Sequence, residues 1–103
     1  MKARNRDEIA EVGIGKDGCL YVRPRKEKFP FIYRVSMEIK WDESEHVLWA
    51  PKRGEWSYVQ WFGQILGAAK SEYGITLEIP DGVKWINIPE EVQKEMIEIA
   101  NNL

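Results

Sequence analysis

The chain has 103 residues, of which 44% are hydrophobic and 31% are charged, and its net charge is −2 at pH 7. This composition is too apolar for a disordered chain, and no apolar run reaches the roughly 20 residues that a membrane-spanning helix needs. The single cysteine excludes an internal disulfide and a thiolate zinc site. We therefore expect a single domain over residues 1–103, and a cytoplasmic location because the amino-terminal residues turn acidic where a secretory signal would be apolar.

Charge is unevenly spread along the chain. Residues 1–40 contain ten Lys or Arg against six Asp or Glu, whereas residues 41–103 contain five against eleven. Two interpretations stay open. Either the two parts pack together and neutralise each other, or the surface is separated by sign and steers a charged partner.

The first elements in chain order are two strands. Residues 10–14 alternate between apolar and polar side chains, which is the period of a half-buried strand. An Asp-Gly turn follows, and residues 19–23 alternate again, with Tyr21 and Arg23 on the face opposite to a leucine and a valine. This pattern predicts a β-hairpin.

The clearest alternation covers residues 33–41, where every second side chain is apolar and the others are polar. Such a pattern predicts an antiparallel strand with one solvated face. An acidic turn over residues 42–45 then leads to a short return strand over residues 46–50, with Val47 and Trp49 on one face.

A long helix is predicted next, because residues 57–73 place their apolar side chains on one face at helical spacing. Ser57 and Gln60 fit a capping box, and Trp56 and Trp61 fit the hydrophobic staple that accompanies it. The glycine that follows the helix suits the left-handed residue at a helix end.

Two short apolar stretches, residues 75–79 and 83–88, flank a Pro-Asp-Gly turn signal and predict another hairpin. A second helix is predicted after them, with Asn87 and Glu90 at its N-cap and N3 positions.

The order of these elements predicts an α+β fold. We expect an antiparallel β-sheet of about five to six strands with two helices, 57–73 and 89–102, packed mainly on one face.

Motifs that carry enzyme chemistry are missing from the sequence. It contains no phosphate-binding loop, no dinucleotide fingerprint and no HExxH motif. The chain has one histidine and one cysteine, which are few residues from which to build a catalytic triad or a transition-metal site. We therefore predict no catalytic residue, no cofactor and no metal, with a carboxylate pair in the acidic turn as the acid–base alternative that stays open.

Aromatic residues are concentrated around a basic turn. Five of the twelve aromatic residues lie within residues 49–62. Ordinary packing accounts for most of these rings, but we expect the indoles of Trp56 and Trp61 to stay partly exposed. Trp and Arg are enriched at binding hot spots, because one buried ring removes roughly 150 Å² or more from water. The predicted partner-binding residues are Trp49, Lys52, Arg53, Trp56 and Trp61.

An alternative site lies on the open face of the predicted sheet. A concavity of about 300 Å³ or more with converging polar groups would favour a small ligand or an enzyme there. Binding of nucleic acid would use the basic residues of this face. An isoelectric point near 5.5 and the lack of a motif that recognises nucleic acid argue against such binding. The candidate residues for this alternative are Tyr21, Arg23, Arg25, Lys26 and Arg34, with Glu38 beside them for a small ligand.

Several short motifs also give the chain a resemblance to a known group of proteins. These motifs are GCLYVR at 18–23, FIYR at 31–34, WD at 41–42, EWSY at 55–58 and WF at 61–62. Over about residues 10–90 the chain resembles small uncharacterised bacterial proteins of mobile gene cassettes and the immunity proteins encoded beside polymorphic toxins. The resemblance carries no catalytic residue, and it implies a small cytoplasmic protein that works by binding.

We therefore predict a non-enzymatic protein-binding module of the immunity or inhibitor type. Its expected partner is another protein or a second copy of the chain in a homodimer, and neither a membrane nor a metal is expected to take part.

Overall fold

A computed structural model describes residues 5–51 and 56–102 of the chain. Six strands form in these ranges: β1 (Arg6–Ile14), β2 (Leu20–Pro24), β3 (Lys40–Asp42), β4 (Val47–Ala50), β5 (Thr76–Glu78) and β6 (Lys84–Ile86). The helices are α1 (Tyr58–Tyr73), α2 (Glu90–Asn101) and a short 3-10 helix (Ile32–Arg34). Within the described ranges, none of these helices has the length and apolar character needed to cross a membrane.

The strands form one six-stranded sheet in the order β3-β4-β2-β1, with β5 and β6 both paired to β1 on its other side. The pairs β1–β2, β2–β4 and β3–β4 are antiparallel. The pairs β1–β5 and β1–β6 are parallel. The predicted α+β fold with two helices is therefore confirmed, and its sheet is mostly antiparallel.

The core lies between one face of the sheet and the helices. Leu20, Val22 and Leu48 of the sheet and Phe62 and Ile65 of α1 are fully buried in one apolar cluster. Met96 of α2 belongs to the same cluster. Burying such a side chain contributes about 1.5–3 kcal/mol, so the helices remain on this face and leave the opposite face of the sheet open.

The start of α1 has the predicted capping box. The Ser57 hydroxyl accepts a hydrogen bond from the Gln60 backbone N–H at 3.1 Å, and the Gln60 side chain accepts one from the Ser57 N–H at 2.8 Å. The rings of Trp56 and Trp61 meet at 4.6 Å, as a hydrophobic staple requires. Gly74 ends the helix in the left-handed conformation with φ of 67°.

The strand predicted over residues 33–41 is wrong for most of its length. The chain forms the 3-10 helix and turns there, and only the short β3 pairs with the sheet. Four buried residues explain the difference, because their spacing of three or four matches a helical turn rather than a strand: Phe29, Ile32, Ser36 and Ile39. Tyr33, Val35 and Met37, whose alternation suggested a strand, are exposed.

The second predicted hairpin is also wrong, although its turn forms. The Val83 N–H donates to the Pro80 carbonyl at 3.2 Å. The two flanking strands do not pair with each other, since each runs parallel to β1, at residues 6–8 and 11–13. The nine-residue β1 offers enough backbone for both strands, and a β-bulge between Ile9 and Glu11 interrupts its register where the turn lies.

The predicted N-cap of α2 is displaced. Asn87 has a positive φ of 59° and donates from its side chain to the Ile14 carbonyl at 3.3 Å. Pro89 occupies the N-cap position and has no side-chain cap hydrogen bond. The Asn87 amide therefore ties the entry of α2 to the end of β1 instead of capping the helix.

Candidate functional site

The open face of the sheet carries two rows of side chains, because strand register aligns every second residue. The first row consists of Lys40, Trp49, Tyr21, Gly13 and Ile86. If the β2–β4 register is continued by one residue, the second row consists of Asp42, Val47, Arg23, Glu11 and Lys84. Aromatic side chains thus lie next to a row of charges.

Tyr21 leans over β1 because the residue opposite it is a glycine. A Cβ atom at residue 13 would lie 2.5 Å from the Tyr21 hydroxyl oxygen and 2.6 Å from the ring carbon that bears it. The Tyr21 hydroxyl donates to Glu11 Oε2 at 2.5 Å. Burial, together with this hydrogen bond and the charge of Glu11, raises the pKa of Tyr21 to about 12. The phenol therefore keeps its proton at neutral pH, and its ring stays over Gly13.

Arg23 joins three parts of the face. Its Nη1 lies 2.9 Å from Glu11 Oε1, and its Nη2 lies 3.4 Å from Glu45 Oε1. Its Nε donates to the Glu45 carbonyl at 3.3 Å. All three guanidinium nitrogens thus have acceptors, and the ion pairs connect β1, β2 and the turn after β3.

These side chains surround a concavity of about 760 Å³. Its walls come from the turn between β1 and β2, from Tyr21 and Arg23, from Asp42 and Glu45, and from Val47 and Trp49. Small-molecule sites commonly have volumes of about 300–1,000 Å³. The concavity therefore exceeds the volume of about 300 Å³ that favours a ligand-binding face.

The carboxylates of the acidic turn after β3 have different partners. Asp42 Oδ1 accepts the backbone N–H groups of Ser44 and Glu45 at 3.0 and 3.1 Å. Glu43 instead accepts the Trp41 indole N–H at 2.7 Å and pairs with Lys28, and both contacts lower its pKa. Among the described residues, no group of three or more His, Cys, Asp or Glu side chains is arranged to hold a metal ion.

The predicted partner-binding residues fall in different environments. Trp49 is half-buried and lines the concavity. Trp56 is 45% exposed, whereas Trp61 is only 6% exposed and belongs to the core. The expectation that the Trp61 indole stays exposed is therefore wrong, because α1 turns that ring towards the sheet. Lys52 and Arg53 lie outside the described residues.

The residues predicted for the alternative face are only partly brought together. Tyr21 and Arg23 line the concavity. Arg25 forms an ion pair with Glu8, and Arg34 lies 4.8 Å from the centre of the Phe31 ring. The side chains of Lys26 and Glu38 do not line the concavity either, and Lys26 contributes its backbone N–H to a hydrogen bond with Asp7.

Sequence reasoning missed the contribution of β4 and of the acidic turn to this face. Trp49, Val47, Asp42 and Glu45 meet Tyr21 and Arg23 only through the pairing of β2 with β4 and of β3 with β4. The alternation of residues 46–50 placed Val47 and Trp49 on one face. It could not indicate that this face is the one shared with Tyr21.

A separate apolar surface lies in the segment that joins β2 to β3. Four large apolar side chains are exposed there, with Met37 at 77%: Phe31, Tyr33, Val35 and Met37. The segment is attached to α1 by hydrogen bonds from the Phe31 N–H to the Tyr73 hydroxyl and from the Gln64 amide to Ser36. Clustered exposed apolar side chains of this kind commonly mark contact surfaces.

Comparison with known proteins identifies the family. Residues 7–83 match the family described as Integron Cassette Protein Hfx_Cass5. The chain belongs to this family. A solved structure titled "Structure from the mobile metagenome of North West Arm Sewage Outfall: Integron Cassette Protein Hfx_Cass5" is 39% identical over 98% of each chain, with a TM-score of 0.45. No curated protein matches the chain.

The family match confirms the predicted resemblance to proteins of mobile gene cassettes. The matched residues 7–83 include every side chain that lines the concavity. The immunity role stays a prediction, since the family description names no partner and no activity.

Proposed function

We propose that this cassette protein binds a small organic molecule on the open face of its sheet. The observation that carries the proposal is the concavity of about 760 Å³, into which aromatic and charged side chains of three strands converge. Polar groups that converge beside aromatic rings in a space of this size are a feature of ligand sites.

The walls of the concavity are held in place before any ligand arrives. Arg23 is fixed by Glu11 and Glu45, and Glu11 is fixed in turn by the Tyr21 hydroxyl. A preorganised site loses less conformational entropy on binding than a flexible one. The network therefore supports a binding role at this face.

The proposal is tested by titrating the ¹⁵N-labelled protein with a panel of small aromatic compounds and following backbone amide and indole shifts. We expect saturable shifts at residues 15–23 and 42–49, including the Trp49 indole N–H. Trp49→Ala should abolish this response because it removes one wall. Trp56→Ala, which changes an exposed indole outside the concavity, should keep it.

A panel that leaves all of these resonances unmoved would refute the proposal. Saturable shifts confined to α2 or to residues 31–37 would refute it as well, because they would assign binding to another surface.

A second candidate function is association with another protein, which includes the immunity-type role. The exposed apolar segment over residues 31–37 favours a second copy of the chain as the partner. The exposed apolar segment around Val35 and Met37 supports it. Arg34, which also lies 3.8 Å from Glu72, and Glu38 carry opposite charges in the same segment. Two copies related by a two-fold axis could therefore pair these charges around the apolar side chains.

Self-association is tested by light scattering after size exclusion over a range of protein concentrations. We expect the wild type to form a dimer and Met37→Asp to be a monomer. Trp56→Asp should remain a dimer, and its conversion to a monomer would place the interface at the exposed indole instead. A monomer at every concentration would exclude the second copy, and a partner of another kind would then have to be sought.

A further inference from the structure

We infer that the ligand of the open face is an organic cation, that is, a protonated amine attached to an aromatic or aliphatic body. This inference rests on the proposed function and adds the chemical class and the orientation of the ligand.

The middle of the concavity provides the space for the uncharged body of the ligand. Tyr21 and Trp49 are paired across β2 and β4, and Val47 lies beside them. Directly opposed side chains in an antiparallel pair have Cβ atoms about 4.5–5.5 Å apart, so both rings border the same space. Because Tyr21 leans over Gly13 instead of over β4, this space stays open next to the Trp49 indole.

Lys16 and Trp49 bring hydrogen-bond donors to the walls of the concavity, whereas the donors of Arg23 and Tyr21 are already engaged by Glu11 and Glu45. Each guanidinium nitrogen of Arg23 already has an acceptor from Glu11 or Glu45. The hydroxyl proton of Tyr21 is donated to Glu11. To bind Arg23, an anion would have to displace Glu45, and it would then lie close to the carboxylates that remain.

An ammonium group, in contrast, finds acceptors at the end of the concavity next to the acidic turn. Asp42 and Glu45 both line this end. Asp42 uses Oδ1 for backbone N–H groups and Glu45 uses Oε1 for Arg23. Within the described residues, their second carboxylate oxygens have no hydrogen-bond partner, so each can accept from an amine.

One lysine of the open face lines the concavity and two lie at the periphery of the face. Lys16 lines the concavity from the exposed hairpin turn, whereas Lys40 is on the edge strand β3 and Lys84 on the edge strand β6. Lys16 and Glu45 are both exposed, so hydration and salt weaken the interactions of both charges. Three carboxylates, those of Asp17, Asp42 and Glu45, nevertheless face Lys16 and the already paired Arg23 on the walls, and this balance favours a cation. The amine therefore points to the acidic turn and the body of the ligand to Trp49.

Three probes with the same aryl body test the inference: 2-phenylethylamine, 2-phenylethanol and 3-phenylpropionate. Each is titrated into the ¹⁵N-labelled protein at low salt while the Trp49 indole N–H shift is followed. We expect the amine to bind about two- to fivefold more tightly than the alcohol, as for one exposed ion pair, and the carboxylate to bind most weakly.

Two variants of the same turn supply the matched comparison. Glu45→Gln should weaken binding of 2-phenylethylamine by about two- to fivefold and leave 2-phenylethanol unchanged. Glu43→Gln removes a charge two residues away that faces Trp41 and Lys28, so it should change neither probe.

The possible failures are distinguishable. If no probe shifts the Trp49 indole N–H at any concentration, the proposed function fails at this face. If the carboxylate or the alcohol binds as tightly as the amine, or Glu45→Gln has no selective effect, the inferred preference for a cation is contradicted. The proposed binding of a ligand at this face would still hold.

Discussion

Gly13 and Tyr21 show how one residue type sets the environment of another. The missing side chain at Gly13 lets the Tyr21 ring lie over β1, where its hydroxyl reaches Glu11. Any larger residue would require the ring to move. Tyr21 could be predicted on the open face from the alternation along β2, but its contact with Gly13 depends on the cross-strand register, which the sequence does not state.

Tyr21 gives a pH dependence of stability with a defined sign. Its pKa is about 12 in the folded protein and about 10 in an unfolded chain. The folded state therefore keeps a proton that the unfolded state loses, and the resulting stabilisation is complete below pH 10 and lost as pH rises through 12. We expect the free energy of unfolding in urea to fall more steeply between pH 10 and 12 for the wild type than for Tyr21→Phe. Parallel pH profiles would contradict this assignment.

Asp7 is a buried carboxylate with a structural task. Its Oδ2 accepts the backbone N–H groups of Lys26 and Glu27, both at 2.9 Å, and this fixes the chain after β2. Asp7→Asn replaces a charged acceptor and should lower the free energy of unfolding by about 1–3 kcal/mol. Asp81→Asn, in an exposed turn, is the control and should change it by less than about 0.5 kcal/mol. Equal urea midpoints for the two variants would argue against this role of Asp7.

At the scale of elements, the sequence was informative where the signal is local. The first hairpin and α1 follow from an Asp-Gly turn, a capping box and a terminal glycine, each of which acts within a few residues. The parallel pairing of β5 and β6 with β1 joins residues about 70 positions apart. No periodicity within either segment encodes that pairing, so the turn at residues 80–83 predicts a hairpin that does not form.

The segment over residues 29–39 contains two competing patterns. Alternation of Tyr33, Val35 and Met37 predicted a strand, but the buried residues recur every three or four positions. The helical spacing prevails because it places Phe29, Ile32 and Ile39 in the core at once, and Phe29 also contacts the rings of Trp41 and Tyr73.

The two patterns predict opposite effects of truncation in this segment. Ile32→Ala should cost about 2–5 kcal/mol, as expected for a fully buried side chain. Val35→Ala should cost less than about 0.5 kcal/mol because its side chain is exposed. Urea denaturation measures both changes. A larger loss for Val35→Ala than for Ile32→Ala would favour the strand instead.

At the scale of the whole molecule, covering one face of the sheet determines what the other face can do. The helices and the 29–39 segment bury one side, so the chemistry-bearing side chains of β1, β2 and β4 collect on the other. Tyr21 and Arg23 could be predicted as members of this face. Trp49, Asp42 and Glu45 could not, because the pairing order of the strands brings them there.

Ligand binding at the open face requires that Tyr21, held over Gly13, keeps the concavity open. Gly13→Val tests it: valine suits a strand, but its side chain would push the Tyr21 ring off β1 towards Trp49. Gly82→Val is the control, since a Cβ atom there meets no atom within 4 Å.

The decisive measurement is the shift of the Trp49 indole N–H during titration with 2-phenylethylamine, in variants whose folding is first verified by their amide spectra. We expect a saturable shift in the wild type and in Gly82→Val, and none at the same concentrations in Gly13→Val. A folded Gly13→Val protein that binds the amine with the wild-type midpoint would show that the contact between Tyr21 and Gly13 does not keep the concavity open.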